Sequence, residues 1–437
     1  MTKREAIETI DKRSEDIISL GKSIYMEPET GYREIKTSEK IGKIFREEGI
    51  NYRDGIAITG LIGELDSGRE GPTVAILSEM DALINYEHPD ADPKTGAIHA
   101  CGHFAQLSWM VGALFGLKEV IQSLSGKIVF MAIPAEEYIE LEYRKKLIEG
   151  GKIQYFGGKQ EFIRLGELDN VDIAIINHAS SDTPPRSTWI VRGSNGFIGK
   201  RVRFIGKTAH AGAAPHKGIN ALNMFNVSLT AINAQRETFK DEDSVRVHMM
   251  VTHGGESVNV IPGEIDIEMY VRGKTIEAIE KTNSKVQRAL KAGPMGIGGE
   301  VEIETFPGYL PLRANEKLNR VWETNAIQIL GSKNIFFQES IGASTDMGDI
   351  SHLIPSIHPS TGGFGGELHS RTFKIIDEEM AYIIPAKIYA LTVIDLLKDE
   401  ATLTREIIKH HKPLLTKENY IKTLNSFVDR EIWPKKN

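Results

Sequence analysis

The chain has 437 residues, 41% hydrophobic and 26% charged, with a formal net charge of -7, the balance of a globular protein long enough for two domains. An acidic excess with no long basic run excludes nucleic acid as a partner, and no signal-peptide core or bilayer-long apolar stretch is read, so no membrane partner is expected. A single cysteine, Cys101, excludes an intrachain disulfide and suits the reducing cytoplasm.

Residues 6–26 read as an amphipathic helix and 29–48 as a second, interrupted by Gly31. A strand-like pair lies within 56–65. Three later segments share one design. The run 73–77 is continuously apolar, as a strand covered on both faces should be, and ends in Ser78-Glu79-Met80-Asp81. Residues 127–133 form a second such run, ending in Pro134-Ala135-Glu136-Glu137. The third, 171–176, ends in Asn177-His178. Each delivers carboxylate or imidazole side chains at its C-terminal end, the edge where open α/β sheets bind ligands. Between the first two, Cys101 precedes His103 by two positions and opens an apolar helix over 104–117. A thiol at a helix N-terminus is biased toward thiolate, and thiolate with imidazole suits borderline divalent metals. A lone cysteine is more often a small buried hydrophobe; three chemically armed strand ends beside this one point to a shared site.

From 189 the pattern changes. Strand 199–207, helix 220–238, strands 244–252 and 263–272, helix 276–292 and strand 300–306 follow in order. This β-α-β-β-α-β order is that of a ferredoxin-like module. The expected organisation is therefore an α/β catalytic domain with a mixed sheet, formed by 1–188 and 309–437, interrupted by an inserted module at 189–308. The second part carries a helix at 315–330, the loop 341–349, His358, His369 and a long helix over 378–398. The remainder, to residue 437, reads as a charged, amphipathic helical extension.

Glu79-x-Asp81, His99-Ala-Cys101-Gly-His103, Pro134-Ala-Glu136-Glu137, His178, Thr208-Ala-His210-Ala, Asn259-Val-Ile-Pro262, Thr345-Asp346-Met-Gly348 and His369 occur in that order. The series resembles the M-twenty (M20) metallopeptidase family, most closely its amidohydrolase branch. That branch includes p-aminobenzoyl-glutamate hydrolase, indole-acetyl-amino-acid hydrolases and aminoacylases. The resemblance spans about 25 to 400. It implies a zinc-peptidase-like catalytic domain with a ferredoxin-like lid that also dimerises. It further implies two divalent metal ions per chain, zinc or manganese first, cobalt or nickel as alternatives. Cys101 would bridge them, with His103, Glu137, His178 and His369 as the other ligands. Glu136 would be the general base, Asp81 would orient an imidazole, and His210 and Asn259 would support the carbonyl oxygen. Arg272 would meet the substrate carboxylate. The implied substrate is a small N-acyl amino acid or dipeptide, and the implied assembly a homodimer through the insert.

Phe104 and Gln106 stand where many relatives carry Asp or Asn and His, and Glu79 where carboxypeptidase branches carry a metal-binding His. Two rival readings were set against hydrolysis by metal-activated water. A thiol hydrolase using Cys101 leaves Glu136, Glu137, His178 and His369 without a task. A non-catalytic metal-dependent relative has no need of Glu136.

Overall fold

A computed structural model describes residues 2–435 apart from 182. The chain divides into two compact units. The first is Met1–Gly193, Leu312–Ile341 and Asp349–Lys417; the second is Ser194–Pro311, Gly342–Gly348 and Glu418–Asn437.

The first unit is built on a six-stranded mixed sheet. Its order is Asn51–Ile56, Gly60–Asp66, Lys127–Ile133, Thr73–Glu79, Ile173–Ile175 and Ser356–Ile357. The first three pair antiparallel with one another, and from Lys127–Ile133 onward the pairs are parallel. The two central strands bury every residue after the first, which is why their sequences are unbroken apolar runs. Helix His103–Val120 lies buried along nearly its whole length against Thr2–Lys12, Ser14–Tyr25 and Ile384–Leu397. Its apolar residues therefore show no preferred face. Gly112 and Gly116 allow the close approach: a Cβ at these positions would stand 2.7 Å from Ala386 Cβ and 2.8 Å from the Ala6 carbonyl.

Two expectations need correction here. Helices His103–Ser123 and Glu379–Leu397 are long and apolar enough to cross a membrane, although none was expected to be. Their apolar windows are 89% and 94% buried inside the protein, as core helices are. The helix expected over 29–48 spans only Ile35–Glu47. Glu29 instead folds back and accepts hydrogen bonds from Lys36 N at 3.1 Å and Thr37 N at 2.9 Å, capping the helix from outside it.

The second unit is an antiparallel sheet ordered Arg246–His253, Glu264–Gly273, Gly196–Ile205, Glu300–Pro307 and Asp429–Trp433, with helices Ala221–Ala234 and Ile276–Leu290. Numbered by the module's own sequence, its four strands stand in the order 2-3-1-4, the ferredoxin-like arrangement. The fifth strand comes from the C-terminal extension, which was grouped with the catalytic domain and expected to be helical. Thr402–His410 and Lys417–Phe427 are helices, but Asp429–Trp433 pairs antiparallel with Glu300–Pro307. The edge of Glu300–Pro307 offers unpaired backbone groups to the five residues Asp429–Trp433 that follow the last helix.

Candidate metal centre

Two buried strand ends and one tight turn converge around Cys101. The turn is made by Gly102, whose φ of +89° starts helix His103–Val120. A Cβ on Gly102 would stand 2.4 Å from Ala179 Cβ, so glycine is what lets the Cys101 loop lie against the residue after His178. Cys101 Sγ is 3.4 Å from His178 Nε2 and 3.1 Å from His369 Nε2. His369 Nε2 is also 3.2 Å from Glu137 Oε1. His369 adopts a left-handed φ of +64°, held by its own N–H donating to the Ala100 carbonyl at 2.9 Å and by Asn85 Nδ2 donating to its carbonyl at 3.0 Å.

His103 is buried and its Nδ1 faces Asp81, 2.8 Å from the carbonyl and 3.2 Å from Oδ1. Asp81 Oδ2 accepts from Glu137 N at 2.8 Å, so one carboxylate fixes both an imidazole and the glutamate loop. That loop turns at Ala135, a non-glycine residue with φ +57°. Glu34, buried beneath it, accepts from Ala135 N at 2.9 Å and from Thr59 Oγ1 at 2.6 Å. Burial, then the nearby Asp81, raises the Glu34 carboxyl to about 8. From the other side, buried Arg144 donates to the carbonyls of Glu137 at 2.5 Å and Phe156 at 2.8 Å. Beyond the turn, Glu136 Oε2 lies 4.0 Å from His103 Nε2.

The electrostatics are those of a buried cluster of thiol, carboxylate and imidazole groups. Burial pushes the Cys101 thiol up, but His369 and His178 outweigh it and bring it down to about 6. The Cys101 thiolate, then Glu137, pushes His369 up to about 12. Burial opposes ionisation of Glu137, yet His369 holds it down at about 2. His358 stacks on His178 with ring centroids 5.5 Å apart, and burial followed by the charge on His178 lowers it to about 3.

Potential ligand atoms fall into groups lying within 4.8 Å of one another: Cys101, His103 and His178; Cys101, Glu137 and His369; and Glu79, His103 and Glu136. His103 Nε2 and Glu137 Oε1 are buried and make no hydrogen bond among the described residues. Buried imidazole and carboxylate donors gathered on one thiol fit divalent cations better than they fit a purely structural network.

Residues 192–295 match the M20 peptidase dimerisation domain. A mouse Xaa-Arg dipeptidase is 26% identical over 377 residues, covering 82% of this chain and 79% of the relative. The IAA-amino acid hydrolase ILR1-like 4 of Arabidopsis thaliana is 26% identical over 387 residues, covering 84% and 82%. Among solved structures, a dinuclear metal binding M20 peptidase of Bacillus subtilis superposes with a TM-score of 0.65 at 22% identity, covering 87% of this chain and 98% of that one. The chain carries an M20 peptidase dimerisation domain and resembles M20 hydrolases over most of its length.

The first unit gathers seven of the residues singled out from the sequence: Asp81, Cys101, His103, Glu136, Glu137, His178 and His369. The other three lie in the second unit. There His210 is exposed, its Nδ1 accepting from Gly212 N at 3.2 Å and Ala213 N at 3.1 Å. His210 pairs with Val260, and the Asn259 carbonyl accepts from Ala211 N at 2.9 Å, so His210 and Asn259 share one loop pair. Arg272 donates to Ser344 Oγ at 2.6 Å and lies over the Phe197 and Tyr270 rings.

Sequence reasoning missed Glu34, Arg144 and Lys159, each fully buried. In the sequence they are ordinary charges in helical or loop contexts, and no spacing distinguishes them. Glu79 and Gln106 were singled out only as departures. Glu79 is fully buried between Lys159 Nζ at 2.5 Å and Gln106 Nε2 at 2.7 Å.

Proposed function

We propose that this protein is a metal-dependent amidohydrolase of the cytoplasm, cleaving the amide bond of a small N-acyl amino acid, an aminobenzoyl amino acid or a dipeptide. One observation carries the reading: two donor groups share the Cys101 thiol, and a carboxylate outside both, Glu136, sits beside them. Cys101, His103 and His178 would hold one divalent cation, and Cys101, Glu137 and His369 the other. Zinc or manganese suits these donors, with cobalt or nickel as alternatives. When bound, the cations lower the pKa of water and polarise the amide carbonyl. Glu136 takes the proton of the attacking water on its carboxylate and returns it to the leaving amine nitrogen. Asp81 accepts the Nδ1 proton of His103, which makes Nε2 the atom a cation would take once it displaces the proton there.

His210 accepts two backbone N–H groups at Nδ1, so its neutral ring carries the proton on Nε2 and can donate to a developing oxyanion. Asn259, on the paired loop, assists, and Arg272 receives the substrate carboxylate. We assign His210 to the centre of a partner copy in a homodimer. The match to a dimerisation domain supports this, as does the open edge strand Arg246–His253 with its exposed Met250 and Val251. Mixed dimers of Glu136→Ala and His210→Ala chains test the assignment. Each homodimer should be nearly inactive, and the mixture should regain activity. No recovery means that His210 serves its own chain.

The names of the mouse and Arabidopsis relatives set the substrate panel: N-acetyl, N-benzoyl, aminobenzoyl and indole-acetyl amino acids, and dipeptides ending in Arg. Protein stripped by a chelator should lose hydrolysis of at least one panel member and regain it with added Zn or Mn. Activity that survives chelation but not thiol alkylation would transfer the chemistry to Cys101. Bound metal without turnover of any substrate would leave a binding protein.

A further inference from the structure

Beside His103 the protein buries a charged pair that the hydrolytic scheme does not use. Glu79 and Lys159 are both fully buried, with Nζ 2.5 Å from Oε1. Glu79 Oε2 accepts from Gln106 Nε2 at 2.7 Å and lies 3.0 Å from His103 Nε2. Gln106 Oε1 accepts from Glu79 N at 3.1 Å, so the amide holds Glu79 by both its backbone and its carboxylate. Glu79 thus faces the same ring nitrogen of His103 that the cation reading uses. A buried ion pair is no more stabilising than apolar side chains of similar volume, so packing alone does not account for it.

Charge counting gives the pair a task. The donors Cys101, His103 and His178 bring one negative charge, that of the shared thiolate. Cys101, Glu137 and His369 bring two. An uncompensated Glu79 carboxylate beside His103 would make the positions nearly equal for a dication, and the Lys159 ammonium cancels it. We propose that the Glu79–Lys159 pair, fixed by Gln106, sets the cation affinity of the His103 position and keeps it the weaker and more exchangeable of the two. This rests on the two-cation reading above.

The test is a titration of metal-free, full-length protein with Mn²⁺ or Zn²⁺ by calorimetry, with bound Mn²⁺ also followed by electron paramagnetic resonance. Wild type should bind in two steps of unequal affinity. Glu79→Gln removes one negative charge from beside the site while the Lys159 ammonium stays, and should weaken the second step by about 10–100-fold, leaving the first unchanged. Lys159→Met should tighten the second step. The charge-neutral double variant, Glu79→Gln with Lys159→Met, should bind close to wild type. A double variant as weak as Glu79→Gln would make Glu79 a ligand or a fold element and overturn charge balance. So would a Lys159→Met protein whose second step equals that of the double variant, a comparison that holds even if Glu79→Gln does not fold. Wild type that takes up no divalent cation overturns the two-cation reading itself. Two cations bound with affinities indifferent to these variants overturn only the present inference.

Discussion

Glu136→Gln preserves the size of the side chain and removes its capacity to carry a proton. Its Oε2 lies 4.0 Å from His103 Nε2, beyond hydrogen-bond reach, and it belongs to neither group that contains Cys101. Glu137 Oε1, by contrast, is 3.2 Å from His369 Nε2 and lies within a Cys101 group. Loss of a general base costs roughly 10²–10⁴ in rate, or about 2.7–5.4 kcal/mol of barrier at about 1.36 kcal/mol per decade. Glu136→Gln should therefore lower kcat by at least about a hundredfold while its metal content and thermal midpoint stay those of wild type. Glu137→Gln replaces a carboxylate donor with a neutral amide and should lose bound cation along with turnover. Steady-state hydrolysis, with metal content measured by mass spectrometry on the same preparations, separates the two. If Glu136→Gln empties a metal position, the group Glu79, His103 and Glu136 is a ligand set and the assigned roles are wrong. A Glu136→Gln rate within tenfold of wild type would also refute the base.

Cation binding should release protons. Cys101 is already ionised above about pH 6, but His369, His103 and His178 are all raised above the usual imidazole range and hold protons that a metal must displace. Because the metal-free form binds more protons, apparent metal affinity rises with pH through neutrality; calorimetry in buffers of different ionisation enthalpy should report proton release at pH 7, and none would contradict the charge cluster. Gly102→Ala should lower both thermal stability and metal content. A left-handed φ of +89° costs a side chain about 1–2 kcal/mol, and its Cβ would meet Ala179 Cβ at 2.4 Å. A thermal midpoint and metal content equal to wild type would remove the reason given for that glycine. Truncation before Asp429 bares the edge of Glu300–Pro307, and size-exclusion chromatography should show association beyond the dimer proposed for the full chain; an unchanged elution would refute this.

The amino-acid sequence by itself determined where the chemistry would lie. Strands 73–79 and 127–133 are legible because a strand covered on both faces must be apolar throughout, and their polar ends then stand out. The insert is legible for the opposite reason: strands Glu264–Gly273 and Glu300–Pro307 bury alternate residues, so period two survives in the sequence. Helix existence was equally clear, but the start of Ile35–Glu47 depended on the Glu29 carboxylate reaching its first N–H groups. Only the tertiary structure decided what the buried charges do. Glu34, Arg144 and Lys159 look like solvated residues until Ala135 N, the Glu137 carbonyl and the Glu79 carboxylate are placed beside them. The same holds for Asp429–Trp433, whose five residues become a strand because an open sheet edge lies beside them. Periodicity reports which face of an element meets solvent; it carries no record of which distant backbone group or charge a side chain will meet once the chain is packed.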